Sequence, residues 1–202
     1  MKDPITVYTF WLVCFTGVLA VATIILAVFT VDLARTSKKT AERQLRAYVS
    51  ARPDYVYAFG LNIPVEIKVR IINHGQTPAY NVAQTAAVDA LPYPLPAGFP
   101  LPKSMIPAPA TLVLHPNALI DTHVTGKRVL SATEIGQVTA NHGLRIYVFG
   151  TVKYRDAFKQ DRETRFCFSV IGDKNLATVA GGVPIPTVDI KFEPSENHNE
   201  AN

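Results

Sequence analysis

Side chains that could bind a metal ion are few and scattered in this 202-residue chain. Asp121 and His123 would share one face of a strand and could supply two ligands, but the sequence identifies no third. The histidines do not stand at spacings typical of zinc sites; they are His74, His115, His123, His142 and His198. We therefore expect surface or turn histidines, and no metal or other cofactor.

The pattern around Cys167 favours a structural thiol over a nucleophile. Cys167 stands between Phe166 and Phe168, where a buried and inert cysteine is expected. The other cysteine, Cys14, lies in an apolar run, so the soluble part cannot form an internal disulfide. The chain has no G-x-S-x-G, S-x-x-K, phosphate-binding loop or G-x-G-x-x-G motif. We predict that it is not an enzyme.

The elements that must position these residues begin with an uncharged apolar run over residues 5–31. As a helix it would extend about 40 Å, more than the ~30 Å of membrane hydrocarbon. A signal peptide has a shorter apolar region and a small-residue cleavage site, and a core helix of this length would carry charges. The sequence predicts a transmembrane span over residues 1–31, continued by a juxtamembrane helix over residues 32–46.

Basic residues flank this span unequally. Lys2 precedes it, whereas five follow within 15 residues: Arg35, Lys38, Lys39, Arg43 and Arg46. The positive-inside rule then places the C-terminal part in the cytoplasm. Residues 32–56 hold six basic and three acidic groups, while residues 57–202 hold 13 and 12. The net charge of +4 is thus mainly a juxtamembrane feature, which predicts contact with the lipid bilayer and no nucleic-acid partner.

Small residues recur along the predicted span at alternating steps of four and three. This seam comprises Thr16, Ala20, Thr23, Ala27, Thr30 and Ala34. Small side chains let two helices approach closely in lipid, and a period of 3.5 residues keeps them facing one partner. The pattern predicts self-association, or packing on a partner's helix; a lone helix in lipid is the alternative.

Strand signals dominate the chain after the juxtamembrane helix. Val65, Ile67, Val69 and Ile71 alternate with Glu66, Lys68 and Arg70, which predicts a half-buried strand of an antiparallel sheet. Pro53 makes the preceding stretch, residues 47–59, an edge or broken strand. In the following strand Tyr80, Val82, Ala86 and Val88 are expected on one face, after a turn in which Gly75 could take positive φ.

The last elements are a short helix and a hairpin. Ser131 and Glu134 have capping-box spacing, and Gly143 supplies a stop, which predicts about ten helical residues between them. Residues 144–155 and 162–171 should pair, with Phe166, Phe168 and Val170 towards the core and a bulge at Gly150. Residues 47–182 are thus expected to form the domain, and residues 183–202 a largely disordered tail.

About seven strands and one helix, without βα alternation, predict a mainly β fold. The fold class we expect is an immunoglobulin-like antiparallel β-sandwich preceded by the single transmembrane helix. Residues 92–116 hold eight of the 15 prolines. They should lie across the domain's own sheet, although docking in a partner's aromatic groove is the alternative.

Several motifs together resemble a group of uncharacterised bacterial membrane-anchored proteins. They are Ala41–Val49 (AERQLRAYV), the N-x-G-x-T-P-A segment over Asn73–Ala79, Tyr154-Arg155-Asp156 and Arg165-Phe166-Cys167. Those proteins join one or two N-terminal spans to a small β-domain and have no established activity. The resemblance implies a bacterial inner membrane and carries over no functional residue.

Two functions fit these features best. The first is a membrane-tethered β-sandwich that binds another protein, for example as an accessory subunit of a membrane complex. The alternative is a sensor domain for a small ligand or lipid, which would need an apolar pocket that its own side chains leave unfilled. An enzyme would instead need converging polar groups with shifted pKa values in a cleft.

Overall fold

The computed structural model describes residues 4–96, 112–172, 190–195 and 199–201. Two compact units divide the chain, Met1–Leu45 and Arg46–Asn202. The elements in chain order are α1 (Pro4–Leu45), β1 (Val49–Gly60), β2 (Ile63–Asn73), β3 (Ala79–Pro92), β4 (Leu112–Leu114), β5 (Leu119–Val129), α2 (Ala132–Thr139), β6 (Leu144–Arg155), β7 (Asp161–Val170), β8 (Phe192–Pro194) and β9 (Glu200–Ala201).

The first unit is one continuous helix of 42 residues. It runs through the apolar stretch and past Arg35, Lys38, Lys39 and Arg43 to Leu45, one residue before the predicted end of the helix at residue 46. At 1.5 Å per residue α1 is about 63 Å long, roughly twice the thickness of membrane hydrocarbon. One helix near the N-terminus is therefore long and apolar enough to cross a membrane.

The second unit is mainly antiparallel β, as predicted. The described residues form a small sheet of order β1-β2-β5 and a large sheet of order β4-β3-β6-β7-β8, with β9 also paired to β7. β1 is an edge strand, and its register with β2 shifts between Pro53 and Tyr55. An edge strand tolerates a proline, which has no N–H to donate. Residues of both sheets pack into one core cluster.

β2 is the central strand of the small sheet and confirms the alternation. Val65, Ile67, Val69 and Ile71 are each at most 3% exposed and belong to the core cluster. The intervening side chains are intermediate in exposure, and those of Lys68 and Arg70 pair with Asp121. A period of two on a sheet with one covered face produces this division.

Two expectations for β3 and β6 are wrong. Tyr80 is 40% exposed, because the β3–β6 register slips between Tyr80 and Ala83, where Asn81 takes φ 52°. No bulge occurs at Gly150, which pairs in continuous register with Ala86 and Phe166. Gly150 is needed for a different reason, because a Cβ there would overlap the carbonyl oxygen of Thr85.

The turn after β2 also differs from expectation. Gly143 is the one described glycine with positive φ, so Gly75 does not supply a left-handed turn. A Cβ on Gly75 would instead overlap the backbone of Arg46 and Ala47. The glycine permits close backbone packing, which is a long-range requirement that the local sequence does not reveal.

The capping box and the hairpin are present as predicted. Ser131 caps α2, with reciprocal bonds between its side chain and the Glu134 N–H and between the Glu134 carboxylate and the Ser131 N–H. β6 and β7 pair over nine residue pairs, from Tyr147 with Ser169 to Arg155 with Asp161. Phe166 and Val170 are buried in the core, with Phe168 packed against it.

The C-terminal segment contradicts the prediction of a disordered tail where it is described. Phe192–Pro194 pairs with Phe168–Val170, and Ile190 is 6% exposed within the core cluster. The Glu193 carboxylate lies 2.6 Å from the Arg145 guanidinium, whose side chain is 7% exposed. Sequence patterns missed this segment because a three-residue strand has no measurable period.

A second apolar cluster covers the opposite face of the large sheet. It contains Leu91, Tyr147, Phe149 and Cys167, with Leu95 packed against it. Leu95 belongs to the proline-rich stretch, so this part of the stretch lies on the domain's own sheet, as expected. Residues 97–111, which hold most of the remaining prolines, lie outside the described residues.

Candidate interaction surface

The outward side of the small sheet carries a connected set of polar and aromatic side chains, here called the outer-face network. Its members are Asp54, Tyr55, Tyr57, Glu66, Lys68, Arg70, Asp121 and His123. Alternation along β2 turns its three charged residues away from the core. The β2–β5 register then sets Asp121 opposite Arg70 and His123 opposite Lys68.

Two cations and two carboxylates form the centre of the network. Lys68 Nζ lies 2.7 Å from Asp121 Oδ2 and 3.5 Å from Asp54 Oδ2. Arg70 Nε lies 2.9 Å from Asp121 Oδ1, and Arg70 Nη2 lies 2.9 Å from Asp54 Oδ2. The side chains are 15–30% exposed. The four charges balance, so the centre is polar and neutral.

The ion pairs also fix the protonation states of these groups. Hydrogen bonds from Arg70 and then from Lys68 lower the pKa of the Asp121 carboxyl. The bond to Asp121 in turn raises the pKa of Lys68. The lowered pKa makes the Asp121 carboxylate a weaker base than a free one, and the raised pKa keeps Lys68 protonated, without a lone pair for attack.

Aromatic rings flank the charged centre. The Lys68 ammonium lies 5.1 Å from the centroid of the Tyr55 ring, and the Tyr57 ring meets the His123 ring edge-on at 4.9 Å. His123 Nδ1 lies 2.8 Å from Glu66 Oε1. Tyr57 remains 41% exposed. Tyrosine and arginine held by their neighbours are typical of protein-binding surfaces.

The residues that the sequence offered as possible metal ligands or as a nucleophile make ion pairs or lie buried in the fold. Asp121 and His123 share a strand face as predicted, but Asp121 bonds to Arg70 and Lys68, and His123 to Glu66. Within the described ranges, no group of three His, Cys, Asp or Glu residues is placed to hold a metal ion. Cys167 is fully buried, and burial raises the pKa of its thiol to about 11.

Two cavities lined by described residues bear on the ligand hypothesis. One, of about 510 Å³, lies at the β6–β7 hairpin and is lined by Asn81, Lys153, Tyr154, Arg155, Asp161, Arg162 and Glu163. Among these, Tyr154 alone belongs to the core cluster. The other, of about 180 Å³, is lined by Tyr93, Pro94, Leu95, Tyr147, Ser169, Glu193, Pro194 and Ser195. Neither is the apolar pocket that the sensor hypothesis requires.

The seam residues all lie in α1, and their side chains are exposed. The hydroxyls of Thr16, Thr23 and Thr30 each donate to the carbonyl oxygen four residues earlier, at 2.8 Å. Each hydroxyl thus has a hydrogen-bond acceptor within the helix, which a polar group in membrane hydrocarbon requires. Packing of the seam on a second helix stays a prediction.

The model of one protein family, described as "Domain of unknown function (DUF8453)", matches residues 9–171. The chain belongs to this family. The DUF8453 match covers α1 from its second turn to the end of β7, and therefore includes the seam and the whole outer-face network. β8 and β9 follow the matched residues. No curated protein matches the chain.

Proposed function

We propose that the chain is a membrane-anchored protein-interaction module, without catalytic activity, that serves as an accessory subunit of a membrane complex. Its binding surface is the outer-face network. The observation that carries this proposal is the set of exposed or half-buried tyrosine, histidine and arginine side chains already held in place by their neighbours. A surface ordered before binding loses little side-chain entropy when a partner docks.

The proposed architecture is an immunoglobulin-like sandwich. The strand order β1-β2-β5 corresponds to strands A, B and E of such domains, and β4-β3-β6-β7 to strands C′, C, F and G. Helix α2 then occupies the E–F connection, and β8 extends the second sheet beyond G. Domains with this architecture commonly present a sheet face or an end loop to other proteins.

The proposed location is a bacterial inner membrane, with the β-domain in the cytoplasm. Supporting this are the single apolar helix and the five basic residues that follow its apolar run. A fluorescent reporter that folds in the cytoplasm should therefore work when fused after Asn202. Activity of a periplasmic phosphatase reporter at the same position would refute this orientation.

Within the membrane, we propose that the seam packs on a second helix. Replacing Ala20 and Ala27 by leucine should abolish association measured by an in-membrane dimerisation reporter, because the backbones would be held apart. Replacing Val21 and Val28 by leucine is the matched control, since these positions lie off the seam. If the variant with leucine at positions 20 and 27 still associates, the seam does not mediate helix packing.

The function itself is tested by a crosslinking pull-down of the full chain from native membranes. Tyr57→Ala removes an outer-face ring, and Tyr80→Ala removes an equally exposed ring from the large sheet, their exposures being 41% and 40%. We expect one recurring protein to be recovered with the wild type and with Tyr80→Ala, and to be lost with Tyr57→Ala. Equal recovery with both variants would refute binding through this surface.

A further inference from the structure

The two edges of the small sheet differ in how they are protected. β1 carries Pro53 and three register shifts against β2, features that prevent another strand from pairing with it. β5 pairs with β2 from Leu119 to Thr125 without a shift, and this stretch holds no proline, lysine or arginine. Among the described residues, no strand pairs with its outer side. In the part of the chain that the structure describes, β5 is therefore a regular edge with no strand on its outer side.

The hydrogen-bond pattern identifies the free backbone groups. The Asn73 N–H donates to the Ala118 carbonyl oxygen at 3.2 Å, so the backbone of Asn73 is bonded towards the β5 side. Backbone groups alternate sides along a strand, and the register stays continuous from Ile72–Leu119 to Glu66–Thr125. The N–H and C=O groups that face away from β2 are hence those of Leu119, Asp121, His123 and Thr125.

The β5 edge is complementary to itself. Two copies paired antiparallel about a twofold axis at Thr122 would set Asp121 of each copy opposite His123 of the other, and Leu119 opposite Thr125. Each central pair thus sets the Asp121 carboxylate, an acceptor, beside the His123 imidazole, which can donate an N–H. The free backbone groups identified above would fall in the hydrogen-bonded positions of this ladder.

We propose that β5 pairs with β5 of a second copy of this chain, which joins two small sheets into one continuous six-stranded sheet. The inference rests on the proposed function and deepens it by naming the partner at the sheet edge. The contact is isologous, so it closes as a dimer and does not propagate into fibres. It also brings two outer-face networks together on one surface.

Cysteine crosslinking of the full chain in membranes tests the register, in a Cys14→Ala background that removes the thiol in α1. Thr122 of the two copies would form a non-hydrogen-bonded pair with Cα atoms about 4.5 Å apart, within the range of a disulfide. Thr122→Cys should give mainly disulfide-linked dimer under mild oxidation. Thr125→Cys is the control, because its two copies would lie about 20 Å apart and should yield at least about tenfold less dimer.

Proline substitution tests the backbone bonds. His123→Pro removes an N–H that faces away from β2, so the fold should persist while the dimer is lost. His123→Ala keeps that N–H and should retain Thr122→Cys crosslinking, at a reduced level. Unchanged thermal unfolding of His123→Pro would show that loss of crosslinking is not loss of fold. If His123→Pro unfolds the domain, the register test with Thr122 and Thr125 decides alone.

The outcomes separate this inference from the proposed function. Failure of Thr122→Cys to crosslink, or equal crosslinking of Thr122→Cys and Thr125→Cys, would overturn pairing through β5. Recovery of a different protein through Tyr57 would still support the interaction module in that case. If Thr122→Cys crosslinks but the pull-down recovers no partner protein that depends on Tyr57, the chain would self-associate without the proposed accessory role.

Discussion

The side-chain oxygen of Asn73 accepts the backbone N–H of Gly75 at 2.9 Å and so closes the turn that leaves β2. The same oxygen accepts the Tyr48 N–H at 3.2 Å. The side-chain nitrogen donates to the carbonyl oxygens of Thr77 at 2.8 Å and Leu114 at 3.0 Å. Asn73 is fully buried, and its side-chain amide thus bonds four backbone groups, two in this turn and one each at Tyr48 and Leu114.

Asn73→Ala should lower the free energy of unfolding by about 2–4 kcal/mol, because buried backbone groups would be left without a partner. Gln76→Ala, at an exposed position of the same turn, should change it by less than about 0.5 kcal/mol. Denaturant unfolding of the detergent-solubilised full chain measures both. Equal effects of the two substitutions would show that the Asn73 bonds do not stabilise the domain.

Two glycines should respond to alanine in opposite directions. Gly150→Ala should destabilise the domain by about 1–3 kcal/mol, because the new methyl group would overlap the backbone of Thr85 and force β3 and β6 apart. Gly136→Ala should stabilise it by about 0.5–1 kcal/mol, since Gly136 lies within α2 and nothing lies within 4 Å of its Cβ position. Thermal unfolding measures both, and a stabilising Gly150→Ala would contradict the close packing.

The N-terminus of α2 should weaken in acid. The backbone N–H of Ser131, then Arg128, lower the pKa of Glu134 from 4.5 to about 2. A carboxyl with a lowered pKa in the folded state stabilises fully above its unfolded pKa, and that contribution is lost as the pH falls from about 4.5 to about 2. Glu134→Gln lacks this titration, so the stability difference between wild type and variant should shrink over that interval. A difference independent of pH would contradict the capping role of the carboxylate.

Elements with a regular local pattern could be predicted from the sequence. The alternation of β2 and the capping box of α2 are set by neighbours one to four residues apart, and both are present. The prediction that Tyr80 shares the buried face of β3 was wrong, because a one-residue register slip at Asn81 turns the preceding side chain to the opposite face. The two-residue alternation of a strand does not predict where such a slip occurs.

The candidate site could be predicted only in part, because its contacts join residues far apart in the chain. The shared face of Asp121 and His123 follows from a strand period of two. Their bonds to Arg70 and Glu66 depend on the β2–β5 register, which strand patterns do not fix. The pairing of Glu193 with buried Arg145 was missed for the same reason, since 48 residues separate them.

The most direct test of the interaction module is site-specific photo-crosslinking in living cells. A photoreactive side chain at position 57 would lie on the outer face of the small sheet, and one at position 80 would be equally exposed on the large sheet. We predict a discrete adduct with another protein from position 57 and none from position 80. No adduct from position 57, or the same adducts from both positions, would contradict the account.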